Sequence, residues 1–282
     1  MTTRLSKLRP AVLGLAFGLT LASCAVTRAP TASTSPAAHP TAPWLYADLY
    51  LQTAAEYEAI CLQTYNWAAE RLKAKIAALP KVGRIPAVVM DLDETVIDNG
   101  GYQSFLHREG LTNSSALWEI WEKDHFHEVL LVPGAKGFIE TAESLGAAVV
   151  YISNRTATFQ EYTVATLKNL GLSLVGIDRR LLLRDGPSDK TGRRKKADET
   201  FRVVMWVGDN LRDFSDAFAV PEPYGTEAER FRALEDRKDK VRENASRWGD
   251  DWIVLPNPVY GEWTKPIASD PRKFLRPTAM KK

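Results

Sequence analysis

The chain has 282 residues, of which 45% are hydrophobic and 26% charged; this composition is typical of a globular protein and excludes disorder of the whole chain. Its length allows one large domain or two small ones. The formal net charge of +2 argues neither for nor against nucleic acid. Because the basic run at 193–196 is typical of a solvated helix face, we expect no nucleic-acid partner.

The first 24 residues have the parts of a secretion signal in their usual order. A basic start without acids precedes an apolar stretch of about a dozen residues, which is short for a membrane span. The stretch ends in LASC, residues Leu21–Cys24, which resembles a bacterial lipobox. The resemblance implies removal of residues 1–23 and acylation of Cys24, for example with palmitate. An ordinary secretory signal is the alternative.

The residue after the lipobox cysteine bears on localisation. It is Ala25, and the absence of Asp there favours the outer membrane in a host with two membranes. A host with one membrane would change this expectation. We therefore expect an exported lipoprotein that contacts the membrane through acyl chains on Cys24.

A tether and a helix are expected next. Residues 24–43 are rich in Pro, Ala, Ser and Thr, which predicts an extended tether. From about Trp44 to Leu79, apolar residues recur every three or four positions, which predicts one amphipathic helix. Cys61 lies in this apolar stripe and is interpreted as a small buried hydrophobe.

Three apolar runs alternate with helical patterns along the rest of the chain. The runs are Ala87–Leu92, Ala147–Ser153 and Arg202–Asp209, and helical patterns lie near Gly137–Leu145 and Thr158–Leu170. Runs that are apolar on both faces are typical of central parallel strands. The alternation predicts an α/β fold with a doubly wound parallel sheet.

Two segments interrupt this alternation, 98–133 and 226–247. The second opens with a capping-box pattern at Thr226 and Glu229. With the N-terminal helix, these segments predict a helical subdomain over the sheet. We expect one domain at 44–282, with a core at about 84–98, 133–220 and 251–256, and a helical subdomain at about 44–80, 99–132 and 221–250.

The carboxyl ends of the three runs carry acidic and hydroxyl side chains. The first run leads to Asp91 and Asp93, the second to Ser153, and the third to Asp209 and then Asp213. Ligands of open α/β sheets bind outside these ends. Converging carboxylates raise one another's pKa unless a cation lies between them, and an all-oxygen site suits Mg²⁺. Ser153 alone is more typical of a helix cap, and Asp91 with Asp93 is as typical of a cap as of a site, but polar residues at three successive strand ends favour a site.

The same residues resemble the motifs of the haloacid dehalogenase-like phosphohydrolases. DLDETVIDN (91–99) is similar to their first motif, DxDxT, and SNR (153–155) to the second. VGDNLRDF (207–214) is similar to the fourth, GDxxxD. The third motif is a lysine, for which we choose Lys190. The alternatives that stay open are Arg193, Arg194 and Lys195.

The flanks of these motifs narrow the resemblance. AAEYEAICLQTYNWA (54–68) and WIVLPNPVYGEW (252–263) resemble class C acid phosphatases, a group that includes bacterial outer-membrane lipoprotein 5′-nucleotidases. The resemblance covers the chain from about Trp44 to Trp263. It implies a Mg²⁺-dependent hydrolase of phosphomonoesters that works through an aspartyl-phosphate.

The motif chemistry gives a role to each candidate catalytic residue. Asp91 is expected to attack phosphorus, and Asp93 to protonate the leaving alkoxide and then activate water. Lys190 and Mg²⁺ neutralise the phosphoryl oxygens, one of which Ser153 hydrogen-bonds. By family analogy the metal ligands are Asp91, the main-chain carbonyl of Asp93, and Asp209.

Four further residues are expected beside these groups. Thr95 orients the turn of the first motif, and Asn154 lies next to the phosphate site. Asp213 supports the metal site or binds the metal through water. Glu94, the third acid of the first motif, is expected to be structural and to bond backbone amides near the turn.

Aromatic residues in the segments over the strand ends indicate the substrate. Tyr260 and Trp118, and after them Tyr102, are candidates for a clamp, since aromatic faces stack on planar bases. In class C enzymes such a clamp implies nucleoside 5′-monophosphates, including nicotinamide mononucleotide, and aryl phosphates. We assign Trp121 and Trp263 to the core.

Other interpretations stay open. A sugar-phosphate phosphatase or a phosphomutase would share the scaffold, although export argues against a mutase. A non-catalytic surface lipoprotein that binds haem or host molecules is expected to lack the nucleophile, which is present here. His125 and His127 raise the question of zinc, but such a pair is more typical of a surface helix end. A homodimer is also left open.

Overall fold

The computed structural model describes residues 44–220, 222, 225–267 and 270–276. The expected signal peptide, Cys24 and the tether lie outside the described residues. No helix in the described ranges has both the length and the apolarity needed to cross a bilayer. The described residues belong to one compact unit.

Five parallel strands form the central sheet. The strands of the described residues are β1 (Pro86–Met90), β2 (Ile97–Asp98), β3 (Leu130–Leu131), β4 (Ala148–Thr156), β5 (Leu181–Arg184), β6 (Arg202–Gly208) and β7 (Trp252–Val254). The sheet has the order β5-β4-β1-β6-β7, and β2 and β3 form a separate antiparallel pair. The three predicted runs are β1, β4 and β6, which confirms the parallel α/β fold.

Helices cover both faces of this sheet. They are α1 (Leu45–Thr53), α2 (Ala55–Ala77), α3 (Gly100–Glu109), α4 (Ser115–Asp124), α5 (Ala135–Ser144), α6 (Gln160–Asn169), α7 (Ile177–Arg180), α8 (Thr191–Thr200) and α9 (Glu227–Glu243). On β1, Val88 and Met90 join the core with α2 and α5, while Ala87 and Val89 join the smaller core with α8. Burial on both faces explains why β1 is continuously apolar.

The N-terminal segment differs from the single helix predicted at 44–79. Ala54 is extended (φ −81°, ψ 120°) and separates α1 from α2. The break lets α1 pack on α3, where Gln52 Nε2 donates to Gly100 O at 2.5 Å. The buried stripe of α2 consists of Tyr57, Cys61, Tyr65, Ala68 and Leu72.

The predicted capping box at the start of α9 is present. Glu229 N–H donates to Thr226 Oγ1 at 3.3 Å, and Thr226 N–H donates to Glu229 Oε2 at 2.6 Å. The predicted boundary between a core and a helical subdomain stays a prediction. In the structure α2 shares its core with the sheet, so at least this helix belongs to the layer that covers β1.

Candidate active site

The carboxyl end of the sheet opens into a cavity of about 360 Å³. Asp91 follows β1 directly, and its N–H donates to Val207 O of β6 at 3.0 Å, so strand pairing continues up to this carboxylate. Asp209 follows β6 directly. The predicted site residues that line the cavity are Asp91, Asp93, Tyr102, Trp118, Asn154, Lys190, Asp209, Asp213 and Tyr260.

Three carboxylates and one ammonium meet in this cavity. Oxygens of Asp91, Asp209 and Asp213 lie within 4.8 Å of one another. Lys190 is buried, and its Nζ donates to Asp91 Oδ1 and to Asp213 Oδ1, each at 2.7 Å. One buried cation therefore faces three acids, and the excess negative charge favours binding of a further cation.

This crowding changes the proton affinity of the cluster. Burial raises the pKa of Asp91 well above its ordinary value; Lys190 opposes the shift, and Asp213 and Asp209 add to it. Burial, followed by the Asp213 charge, raises the pKa of Asp209 to about 7. Burial lowers the pKa of Lys190, but the charges of Asp213 and Asp91 outweigh it, and the net pKa is raised.

The donor set fits a divalent metal ion, because hard divalent cations prefer carboxylate oxygens. Two hydrogen bonds orient the Asp209 carboxylate. Its Oδ1 accepts from Thr95 Oγ1 at 3.3 Å, and its Oδ2 accepts from Asn257 Nδ2 at 2.8 Å. Such outer hydrogen bonds fix the direction in which a ligand carboxylate points. Asp91 and Asp209 are therefore placed to hold a metal between two strand ends.

The hydrogen bonds of Asp213 differ from those of the other two acids. Its Oδ1 accepts from Lys190, and its Oδ2 accepts from Asn210 N–H at 2.9 Å, which closes a capping box. The side chain folds over Gly208, where a Cβ would lie 2.3 Å from Asp213 Oδ2. Both oxygens thus bind protein groups, so Asp213 is placed to hold Lys190 beside Asp91.

The turn after β1 separates the acids of the first motif. Asp93 faces the cavity, whereas Glu94 is fully buried on the other side of the turn with φ 55°, a value uncommon outside glycine. Glu94 Oε1 accepts from the N–H and from Nδ2 of Asn99, both at 3.2 Å. Burial, and then Asp93, raises the pKa of Glu94 well above its ordinary value. Glu94 therefore holds the turn and faces away from the cavity.

Asp93 is bound by an arginine to which the sequence assigned no role. Arg155 donates to Asp93 Oδ1 from Nε at 3.0 Å and from Nη2 at 2.7 Å. Ser153 is fully buried; its Oγ lies 3.4 Å from Asp93 Oδ2 and accepts the N–H of Arg155. Ser153 thus contacts Asp93 and does not line the cavity. The available signal for Arg155 was its place directly after Ser153 and Asn154.

The other basic residues near Lys190 have other contacts. Arg193 donates to the carbonyl of Ser153 and, at 2.7 Å, to Asn154 Oδ1, which lines the cavity. Arg194 and Lys195 pair with acids outside the cavity. Of the four candidates for the third motif, Lys190 is the one that touches the acid cluster.

Three predicted aromatic residues lie at the cavity and two lie elsewhere. Tyr102 packs edge-on against Trp118 with 5.1 Å between ring centroids, and Tyr260 lines the same cavity. Trp121 is buried in the core. Trp263 packs against another tryptophan, with 5.8 Å between the ring centroids.

Asn257 joins the acid cluster to the loop that carries Tyr260, a contact that the sequence analysis missed. Its Nδ2 donates to Asp209, while its Oδ1 accepts the N–H of Val259 at 3.0 Å and that of Tyr260 at 3.3 Å. The only signal was its position within WIVLPNPVYGEW. One carboxamide thus fixes both an acid of the cluster and the backbone of an aromatic residue.

The histidines considered for zinc lie apart from the cluster. His127 is exposed and His125 is half-buried, and His125 Nδ1 lies 2.9 Å from Glu128 Oε1. Within the described ranges, the potential metal-ligating group is the one formed by Asp91, Asp209 and Asp213.

Comparison with known proteins decides the family. The model of the HAD superfamily, subfamily IIIB (Acid phosphatase), matches residues 14–263. The chain belongs to this acid phosphatase family. Its membership confirms the predicted resemblance to the haloacid dehalogenase-like phosphohydrolases.

Solved structures agree with this assignment. The class C acid phosphatase from Bacillus anthracis is 31% identical, with a TM-score of 0.70, and the match covers 80% of this chain and 88% of that one. A crystal structure of the class C acid phosphatase from Bacillus anthracis with tungstate bound is 30% identical, with a TM-score of 0.70 over 84% of this chain and 95% of that one. This HAD acid phosphatase is therefore a phosphomonoesterase with a small phosphate-ester substrate.

Proposed function

We propose that this acid phosphatase is Mg²⁺-dependent and hydrolyses nucleoside 5′-monophosphates through an aspartyl-phosphate on Asp91. The observation that carries the proposal is the pairing of Asp91 with buried Lys190 in a cavity edged by Tyr102, Trp118 and Tyr260. A carboxylate nucleophile, a fixed cation and aromatic surfaces then lie around one opening. These are the groups that phosphoryl transfer from a nucleotide requires.

Asp91 supplies the nucleophile. Its Oδ1 accepts the hydrogen bond from Lys190, so Oδ2 is the oxygen assigned to form the bond to phosphorus while the bond to the leaving oxygen breaks. The Lys190 ammonium lies beside the attacking carboxylate and reduces its repulsion with the phosphoryl oxygens. Asp213 holds that ammonium in place from the other side.

Asp93 supplies the proton. It lines the cavity two residues beyond Asp91 and is assigned to protonate the leaving alkoxide. The resulting carboxylate then takes a proton from the water that attacks the aspartyl-phosphate. This second transfer returns Asp93 to its starting protonation state and Asp91 to a free carboxylate.

Asp91, Asp209 and the main-chain carbonyl of Asp93 are the groups proposed to hold Mg²⁺. When bound, the ion neutralises phosphoryl charge that one lysine leaves unbalanced. The excess of acids over cations in the cluster, and the upward pKa shifts of Asp91 and Asp209 from burial and like charge, support this assignment.

Aromatic contact with the leaving group is the basis for a nucleotide substrate. Stacking on an aromatic side chain contributes about 1–3 kcal/mol per base. Tyr260 and Trp118 line the cavity, and the edge-on contact with Tyr102 supports the Trp118 ring. A sugar phosphate would gain less from these surfaces.

A substrate panel tests the proposal. Phosphate release is measured with nucleoside 5′-monophosphates, sugar phosphates and aryl phosphates, in Mg²⁺ and in EDTA. We expect the highest kcat/KM for nucleotides and loss of activity in EDTA. Tyr260→Ala should raise KM for nucleotides about 10-fold, and Tyr260→Phe should leave it nearly unchanged. Equal kcat/KM for sugar phosphates, or full activity in EDTA, would contradict the proposal.

We also propose that the enzyme is exported and anchored in the outer membrane through Cys24. The basic start, the apolar stretch and LASC at 21–24 support this. Labelling with radioactive palmitate should mark the wild-type chain and Cys61→Ala, the control, but not Cys24→Ala. Label that persists in Cys24→Ala would exclude this anchor.

A further inference from the structure

Arg155 is a buried guanidinium beside the cavity whose role the phosphatase chemistry above leaves open. Its side chain is 1% exposed, while that of its partner Asp93 is 16% exposed. Besides its two bonds to Asp93 Oδ1, its Nε lies 3.2 Å from Asp93 Oδ2. The guanidinium also lines the cavity, and there it binds both oxygens of Asp93.

We propose that Arg155 is a positioning residue that fixes the Asp93 carboxyl group toward the leaving group, and that Glu122 is a second acid beside the guanidinium. The proposal rests on the proposed function of Asp93 as the proton donor. It gives roles to Arg155 and Glu122, for which neither the motif chemistry nor the family membership provides one.

The geometry of the contact needs arginine in particular. Nη2 and Nε of one planar group both reach Asp93 Oδ1, and Nε also reaches Oδ2 at 3.2 Å, so both carboxylate oxygens are held and the orientation of the carboxylate is fixed as well as its distance. Asn99 Nδ2 donates to Asp93 Oδ1 at 3.0 Å, and Arg155 Nη2 lies 3.4 Å from Asn99 Oδ1. A lysine ammonium at this position would keep the charge but lose the two-point contact.

Glu122 is the second carboxylate at this guanidinium. It is 2% exposed, its Oε1 lies 3.7 Å from Arg155 Nε, and that oxygen is a buried atom without a hydrogen-bond partner among the described residues. The Trp118 ring lies on another side of Arg155, 5.8 Å from Cζ to the centroid. Glu122 is the acid that remains beside the buried cation when Asp93 is protonated. Burial raises the pKa of Glu122 to about 7 and Arg155 opposes the shift, so Glu122 supplies a counter-charge above that pH.

This arrangement predicts a dependence on the leaving group. A nucleoside 5′-alkoxide is strongly basic and needs a proton as the bond to phosphorus breaks, whereas 4-nitrophenolate leaves readily without one. Loss of the correct Asp93 geometry should therefore slow nucleotides far more than 4-nitrophenyl phosphate. A residue needed only for folding or for phosphate binding would affect both substrates alike.

The test compares kcat/KM for both substrates in the full Mg²⁺-loaded enzyme, because kcat/KM reports the steps up to formation of the aspartyl-phosphate. Arg155→Lys should lower kcat/KM for the nucleotide about 10²-fold and that for 4-nitrophenyl phosphate much less. Glu122→Gln should shift the ratio in the same direction by a smaller factor. Arg180→Lys is the matched control, since Arg180 is also buried but donates to backbone carbonyls such as Val149 O near the amino end of β4.

Two further variants distinguish failure of the Asp93 proton-donor role from failure of the Arg155 positioning role. Asp93→Asn sets the reference: if it slows both substrates equally, the proposed proton-donor role fails and this inference fails with it. If Asp93→Asn is selective for nucleotides and Arg155→Lys is not, the proposed function stands and Arg155 is not a positioning residue. Should Arg155→Lys not fold, Arg155→Gln carries the same expectation, and thermal unfolding is measured for every variant.

Discussion

The acids on the two sides of the cavity have different cationic partners. On the nucleophile side, Asp91 shares Lys190 with Asp213, and Asp209 lies within the same cluster. On the leaving-group side, Arg155 binds Asp93 and lies 3.7 Å from Glu122. The first side has three acids for one cation, which favours binding of a further cation, whereas the second has two acids for one cation.

The separation is made by a tight turn between two residues that are close in sequence. Leu92 O accepts the N–H groups of Val96 and Ile97 at 2.7 and 2.8 Å. This turn sends Asp91 and Asp93 to different neighbours and buries Glu94 against Asn99. Two identical side chains therefore acquire different environments, which is what opposite roles in one reaction require.

The largest expected effect is on the nucleophile side. Asp91→Asn should lower kcat by roughly 10⁴-fold or more, since no second carboxylate can take its place. It should also weaken Mg²⁺ binding, while the metal-free protein becomes no less stable because one repelling charge is gone. Steady-state kinetics and calorimetry check this against Asp250→Asn, a surface acid paired with Lys75. Retained activity would remove Asp91 as the nucleophile.

The next effect concerns the shared cation. Lys190→Met leaves Asp91 and Asp213 without their common partner and should lower the free energy of unfolding by about 3–5 kcal/mol. Denaturant unfolding measures it. The control is Lys195→Met on α8, the helix that Lys190 precedes; its side chain is 78% exposed, and the change should alter stability by less than about 0.5 kcal/mol. Equal effects for the two variants would mean that Lys190 is not a structural counter-charge.

Without a metal ion, the stability of the folded protein should depend on pH through Asp209 on the nucleophile side. In the unfolded chain the pKa of Asp209 returns to its ordinary value of 3.8, whereas burial and Asp213 raise it to about 7 in the folded metal-free protein. The folded state therefore binds more protons between these pH values, and stability in EDTA should fall as pH rises through this window.

Mg²⁺ should reverse that loss. Because protons compete with the metal for the same oxygens, the rise in Tm on adding Mg²⁺ should grow from pH 3.8 to above pH 7. Thermal unfolding in EDTA and in Mg²⁺ across this range measures it. A Tm difference that stays flat with pH would contradict a metal site built on Asp91 and Asp209.

The smallest effect is expected from loss of one hydrogen bond on the nucleophile side, that between Asn257 and Asp209. Asn257→Ala removes the donor to Asp209 Oδ2 and should weaken Mg²⁺ affinity by about 10–100-fold. It should also raise KM for nucleotides, since the Tyr260 backbone loses its acceptor. The ratio of kcat for the nucleotide to kcat for 4-nitrophenyl phosphate should not move, and Asn244→Ala, at the end of α9, is the control. A change in that ratio would show that the two sides are coupled.

The sequence predicted the site where a local pattern and strand topology were enough. Apolar runs located β1, β4 and β6, and the topology of parallel sheets then brought Asp91 and Asp209 together. The short edge strands β5 and β7, with four and three residues, gave no pattern of comparable length. The break at Ala54 was missed because the apolar stripe continues through it.

The unpredicted part consists of partnerships across long stretches of chain. Arg155 and Asp93 are 62 positions apart, and Asn257 and Asp209 are 48 apart. Each pair depends on how two loops approach, which no periodicity encodes. For Glu122 the sequence offered only a charged residue beside Trp121 on a helix.

The hydrogen bonds of Asn257 have a consequence for the order in which a growing chain acquires activity. Synthesis proceeds from the N-terminus at about 5–20 residues per second, and early segments can begin to fold first. The nucleophile is made at residue 91, yet Asp209 gains its Asn257 contact and the cavity its Tyr260 wall only after residues 257 and 260 have been made. Catalytic competence therefore arises well after the nascent polypeptide has acquired its nucleophile.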